Sequence, residues 1–450
     1  MNRRHFLRQV GAIGASAALA QLGMFSARAE AAAGDYKALV CVFLFGGNDG
    51  NNTVIPLDTT GYANYYNVRG TPLGLLQSAI KPLNEAGNVL RYGLHPDLAD
   101  LQTIWDAGQM AVLLNTGTLV QPLTHDQYLS ASFAKPLGLF SHLDQQRQWQ
   151  AAVSTAPSAT GWGGRLADAV AGLNAGSSIP AMISAAGNSL MLTSQAAHAI
   201  NIPISGTSFG LNGLNNTALG VTRTNALQQL LGIDRDTDLV NAGQDIFTSA
   251  LSTSALLSPV LASNSTTASL PFANLASNIA QQLHAVAKVI EARGSLGASR
   301  QIFMVSLGGF DTHTTQLARQ SALFGQLGPA LKAFNDAMVA IGESANVTSF
   351  TLSDFARTLK PNTGGGSDHA WGNHHFIIGG AVKGQRLYGS MPSLVLAGPD
   401  DAGAEGRWIP TTSVDQYAAT LAAWFGVSPS GLASVIPNLA QFPTTNLGFV

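Results

Sequence analysis

The densest chemistry in this chain lies in one stretch: Gly364-Gly365-Gly366-Ser367-Asp368-His369-Ala370-Trp371-Gly372-Asn373-His374-His375. Three of the ten histidines and an aspartate fall within its last eight residues. Imidazole and carboxylate together suit a divalent ion such as zinc, manganese or iron. The flanking glycines let the backbone wrap closely around an ion or a phosphate-like group. Three further acids stand in Gly-rich or polar turns. Asp49 lies in Gly46-Gly47-Asn48-Asp49-Gly50-Asn51-Asn52, Asp311 in Gly308-Gly309-Phe310-Asp311-Thr312-His313, and Asp354 in Asp354-Phe355-Ala356-Arg357. Singly, each has a plainer reading. Asp49 can bond to nearby amides in a turn, and Asp311-Thr312-His313 can cap a following helix. Their conjunction is what points to a site.

Each of these acids directly follows a strand. Lys37 to Phe45, Met110 to Asn115 and Gln301 to Leu307 are continuous apolar runs, and Val347 to Ser353 is β-branched and aromatic; Phe376 to Ile378 begins a fifth strand. Between them apolar residues recur at helical spacing: Leu275, Ile279, Leu283, Val286 and Ile290; Phe324, Leu327, Leu331, Phe334, Met338 and Ile341; Val414, Tyr417, Leu421 and Trp424. Such strands, buried on both faces, predict an α/β fold with a mainly parallel central sheet sandwiched by helices. The carboxyl ends of parallel strands share one edge, where ligands bind. Asp49, Asp311 and Asp354 are therefore expected to converge. The middle, 152–272, is rich in Ser, Thr, Asn, Gly and Ala and reads as an elaborated insertion or cap. Its low-charge Thr248 to Ser269 run reads as a mobile or irregular connection.

Composition narrows the function. The 450 residues carry 23 basic and 25 acidic side chains, with charged residues at 11% and apolar residues at 46%. A mildly acidic chain without a basic run has no electrostatic footprint for nucleic acid. Cys41 is the only cysteine, so core burial rather than a disulfide must supply stability. The opening Arg3-Arg4-His5-Phe6-Leu7, the mild apolar stretch Val10 to Phe25 and Ala27-Arg28-Ala29 have the order of a twin-arginine export signal over 1–29. The expectation is a protein carried folded by the twin-arginine translocase to the periplasm or beyond. The mature chain, 30–450, would be one domain without a stable membrane anchor, because the apolar stretch is too short to span a bilayer.

The turn from Gly46 to Thr53, Gly308-Gly309-Phe310-Asp311-Thr312-His313, Ser353-Asp354-Phe355-Ala356-Arg357-Thr358 and the block from Gly366 to Gly380 resemble a family of twin-arginine-exported bacterial proteins of unknown function. That family belongs to the alkaline phosphatase/sulfatase superfamily. The resemblance covers nearly all of the mature chain. It implies a metal-dependent hydrolase of small phosphate or sulfate esters, with up to two divalent ions, zinc or manganese. Asp49 fits the superfamily's first metal-binding aspartate. Asp311 and His313 stand for a later Asp/His pair, more closely spaced than usual. Asp354 stands where an Asp-His dipeptide is expected, with Phe355 in the histidine's place; Asp368, His369 and His374 would supply what is missing.

The resemblance also implies a hydroxyl nucleophile at a helix N-terminus. Ser141, in Phe140-Ser141-His142-Leu143-Asp144, is the first choice, although Ser141 with Asp144 also reads as a simple helix cap. Thr116 and Thr124 are the alternatives. Arg147, one turn into the same helix, would hold an ester oxygen through its planar fork. Phe355 supports a second expectation: a non-catalytic binding or assembly protein that keeps the fold.

Overall fold

The computed structural model describes residues 35–450 apart from 86–88, 205–208, 212, 215–216 and 234–236. The export signal expected over 1–29 lies outside the described residues. Among those described, nine strands form the main sheet: β1 (Lys37–Phe45), β2 (Met110–Gly117), β3 (Met182–Ser184), β4 (Ala199–Asn201), β5 (Arg300–Gly308), β6 (Val347–Ser353), β7 (Asn373–Ile378), β8 (Arg386–Tyr388) and β9 (Thr412–Ser413). Their order is β8-β2-β7-β6-β1-β5-β3-β4, with β9 also on β2. Every pairing is parallel except those of β7, which runs antiparallel to β2 and β6. The sheet is thus mainly parallel, in a mixed α/β fold. Because β7 is reversed, its first residues reach the edge where β1, β5 and β6 end.

The helices used below are α1 (Thr59–Leu73), α2 (Ala99–Asp106), α3 (His142–Ala151), α4 (Trp162–Ala169), α5 (Ala218–Leu231), α6 (Asp238–Ala262), α7 (Asn278–Glu291), α8 (Gln316–Ala340) and α9 (Val414–Phe425). They cover both faces of the sheet. Val40, Val42 and Leu44 of β1 share one core with Leu101, Leu283, Val286, Leu327 and Leu331 from α2, α7 and α8. Leu39, Cys41 and Phe43 share the other with Trp149, Trp162, Leu166, Tyr417 and Leu421 from α3, α4 and α9. Alternation along one strand therefore serves two layers, and burying each such side chain contributes about 1.5–3 kcal/mol.

The stretch 152–272 divides in two. Its first part supplies β3 and β4, which extend the main sheet. Its second part holds α5 and α6. The Thr248–Ser269 run expected to be irregular is largely helical: all of it up to Ala262 belongs to the 25-residue α6. The reason is its Ala and Leu content, which favours helix although no strongly amphipathic pattern advertises it. By length and composition α6 alone among the described residues is long and apolar enough to cross a membrane.

Candidate metal centre

At the carboxyl edge of the sheet, three turns are stitched together by one guanidinium. Arg357, fully buried, gives its Nε hydrogen to the Gly47 and Phe310 carbonyls at 3.1 and 3.0 Å. It donates from its terminal nitrogens to the Ser367 carbonyl at 2.6 Å, the Gly46 carbonyl at 2.9 Å and the Asp311 carboxylate. Gly46 has φ +111°, and a Cβ there would lie 2.4 Å from the Asp311 amide nitrogen, so only glycine lets the first two turns touch. The 364–372 loop is held by backbone pairing: the Ala356 amide donates to Trp371, Ala370 to Ala356, and Thr358 to Asp368. This ribbon carries His369 to the rim.

Three imidazoles meet the Asp311 carboxylate there. The Nε2 atoms of His313, His142 and His369 lie 3.1, 3.5 and 3.6 Å from its Oδ1. The ligand atoms of His142, Asp311 and His369 all fall within 4.8 Å of one another. His313 Nε2 stands 3.0 Å from His369 Nε2. Each ring is tethered through its other nitrogen. His142 Nδ1 bonds Asp354 Oδ2 at 2.7 Å, His313 Nδ1 bonds Asp368 Oδ1 at 3.0 Å, and His369 Nδ1 donates to the Phe140 carbonyl at 2.8 Å. Anchoring Nδ1 and presenting Nε2 is how proteins orient metal-binding histidines. Phe355 forms an apolar floor, its ring centroid 4.7 and 4.6 Å from those of His142 and His369.

The donor set fits an ion. His142 Nε2 is buried without a hydrogen-bond partner, a state that costs about 1–3 kcal/mol unless something occupies it. Asp311 is 48% exposed, and its Oδ2 has no hydrogen-bond partner among the described residues. Burial pushes the Asp311 carboxyl up, but the Arg357 guanidinium, helped by His313 and His142, holds it below the usual range, so it is a ready anion. Burial lowers the affinity of His369 for a proton. The bond to Asp354 raises that of His142. Three imidazole nitrogens and one carboxylate make a set that suits zinc.

The other expected ligands are placed differently. Asp49 is buried, and its oxygens are taken by Arg69 in a two-pronged ion pair, by Gln316 at 2.6 Å and by the Asn51 amide at 3.2 Å. It keeps no lone pair aimed at the cluster. Asp354, also buried, serves His142, with Gln146 at 2.7 Å and the Gly46 amide at 3.1 Å. Asp368 supports His313 and accepts from Asn362 at 3.2 Å. His374 is a core histidine whose Nδ1 accepts the Asn115 amide hydrogen at 3.0 Å; burial pushes its pKa down to about 3. Ser141 caps α3, accepting the Asp144 amide hydrogen at 3.5 Å, and hydrogen-bonds to no cluster side chain. Arg147 lies five residues beyond His142, about 140° round the helix, and lines a separate cavity. Thr116 is buried, bonding to the Leu114 carbonyl, and Thr124 caps a short helix.

Sequence reasoning passed over His142, Arg69 and Gln316. His142 had a signal, since it directly follows the serine singled out. Arg69 and Gln316 have none, because their pairing with Asp49 exists only in the fold.

No curated protein matches the chain in sequence. Among solved structures it is similar to a sulfatase from a Bacteroides thetaiotaomicron locus for glycosaminoglycan metabolism: 10% identity, TM-score 0.36, covering 91% of this chain and 75% of the other. It is also similar to the lipoteichoic acid synthase LtaP of Listeria monocytogenes, with 8% identity, TM-score 0.31, and 85% and 75% coverage. Likeness this loose carries nothing about chemistry. A family model matches far more directly, over residues 36–401, and the chain belongs to that family, the proteins of unknown function called DUF1501.

Proposed function

We propose that this protein is an exported hydrolase of phosphate or sulfate esters that works with one divalent ion, held by His142, Asp311 and His369 with His313 beside them. The observation carrying this is the convergence of three tethered imidazoles on one carboxylate oxygen. Zinc is the proposed ion, with manganese the alternative. Such an ion supplies Lewis-acid polarisation of an ester oxygen.

The chain's own groups do the rest. Asp354, Asp368 and the Phe140 carbonyl fix the rings, so the donors are in place before an ion arrives. Arg357 adds fixed positive charge beside Asp311, favouring an anionic ester. Phe355 shields the floor from water. The Ser141 hydroxyl stands at the N-terminus of α3 next to His142, where the helix dipole favours negative charge. It remains the proposed nucleophile. The route of export and the lack of a membrane anchor belong to the same proposal.

Purified wild type, loaded with zinc or manganese, should hydrolyse a generic aryl phosphate or aryl sulfate, and His369→Ala should not. Equal rates for wild type and Ser141→Ala would remove the serine as nucleophile. One observation favours a second reading, a binding protein that keeps the fold without catalysis: Asp49, the carboxylate a second ion would need, is already saturated by Arg69 and Gln316. Metal binding without turnover on either ester would support that reading.

A further inference from the structure

A cavity of about 820 Å³ lies apart from the histidine cluster. Its size is that of a ligand site. A second cavity of about 260 Å³ shares Asn188, Ser189 and Leu190 with it and reaches Gln146 and Gln150 of α3. His142, Gln146 and Gln150 are spaced four residues apart, so they lie along one stripe of α3, spanning about 12 Å. Gln146 donates to Asp354, which in turn holds His142. The two cavities therefore form a groove that begins at Gln146, one turn of α3 from His142, and runs towards β4, the edge strand.

Apart from Arg147 and His198, the polar groups of the wall are hydroxyls and the side-chain amides of Asn188 and Asn201. The hydroxyl hydrogens of Ser158, Ser184, Ser194, Thr193 and Ser189 are all spent internally, on the Thr160, Gly187, Ala197 and Ser189 carbonyls and on Gln150 Oε1. Ser158, Ser184 and Ser189 each also accept a backbone amide hydrogen, and Ser184 is buried. What is left for a ligand is the spare lone pairs of Ser158, Ser189, Thr193 and Ser194 and the amide hydrogens that the Asn201–Asn188 bond does not use. No carboxylate lines the larger cavity, and Arg147 is its one permanently charged residue. A wall of neutral acceptors and amide donors suits a ligand whose hydroxyl groups both donate and accept. A peptide offers only one backbone N–H per residue and would need a strand edge to pair with, but β4 is three residues long.

We infer that this groove binds a neutral oligosaccharide. The ligand's hydroxyl groups donate to the serine and threonine oxygens and accept from the Asn188 and Asn201 amides, and one end of the chain points along α3 to the cluster. That a reacting ester sits at this end rests on the metal-dependent reading; the affinity of the groove does not.

The test uses full-length mature protein treated with a chelator, so that failure of the metal reading leaves this one untouched. Saturation-transfer NMR and calorimetry would be run against neutral hexasaccharides of glucose, xylose, mannose and N-acetylglucosamine. At least one should bind at millimolar concentration or tighter. Ala199→Trp and Thr193→Trp, both at exposed positions on the groove wall, should each weaken binding by about tenfold without lowering the melting temperature. Three results would overturn the inference: no saccharide binding across the panel, binding that neither tryptophan alters, or displacement of the sugar by a neutral hexapeptide of equal length.

Discussion

Asp49 and Asp311 occupy matching places, each in a glycine-rich turn at the end of a neighbouring parallel strand, yet they have opposite fates. Asp49 is 1% exposed and bound on both oxygens by Arg69, Gln316 and Asn51. Asp311 is 48% exposed, shares one oxygen with Arg357, and faces three imidazoles. A carboxylate in the right turn is thus not a metal site by itself. What decides is whether its neighbours consume its lone pairs or leave them beside other donors. In this fold one turn holds a structural ion pair, while the other leaves its carboxylate beside three imidazoles.

The sharpest way to break this contrast is to delete ligands on the Asp311 side. His369→Ala or Asp311→Asn should abolish stoichiometric zinc binding, read by elemental analysis, whereas Asp49→Asn should leave it at one ion per chain. If Asp49→Asn lost the ion as well, the two turns would not be distinct.

On the Asp49 side the expected currency is stability. Arg69→Met leaves a buried carboxylate unpaired and should cost about 3–5 kcal/mol in urea unfolding. It should not add a second bound ion. Gain of a second ion would mean that Arg69 merely stands in for one.

The contrast can be sharpened further at Asp354, which joins the two regions by accepting from both Gly46 and His142. Asp354→Asn weakens the tether on His142, and zinc affinity should fall about 10- to 100-fold. An unchanged affinity would show that the tether does not orient the ring.

How legible all this was depends on how local each feature is. β1, β2, β5 and β6 could be read directly, since strands buried on both faces are unbroken apolar runs. β3 and β4 are three residues each and leave no such run. α6 escaped because its hydroxyl-rich composition hides a helix. In the site, Asp311, His313 and His369 were legible from their loops. His142 was overshadowed by Ser141, whose capping pattern drew the attention, and the saturation of Asp49 depends on Arg69 and Gln316, 20 and 267 positions away. Local sequence can nominate a donor, but only the fold determines what else competes for it.

The smallest expected effect concerns acid stability. His375, next to the core His374, is buried with both ring nitrogens unpartnered, and burial followed by the neighbouring His374 pushes its pKa down to about 3 from 6.5. The unfolded chain then binds a proton that the folded chain refuses, so stability is lost as pH falls below about 6.5. Between pH 6.5 and 5 this one group removes about 2 kcal/mol. His375→Leu should flatten that part of the pH–stability curve measured by denaturant melts. A slope identical to wild type would show that His375 is not the group responsible.

Crystals grown with zinc, with data collected at the zinc absorption edge, would locate the ion. A single anomalous peak is expected between His142 Nε2, His369 Nε2 and the Asp311 carboxylate, close to His313. A peak at Asp49, or none at the cluster, would contradict it.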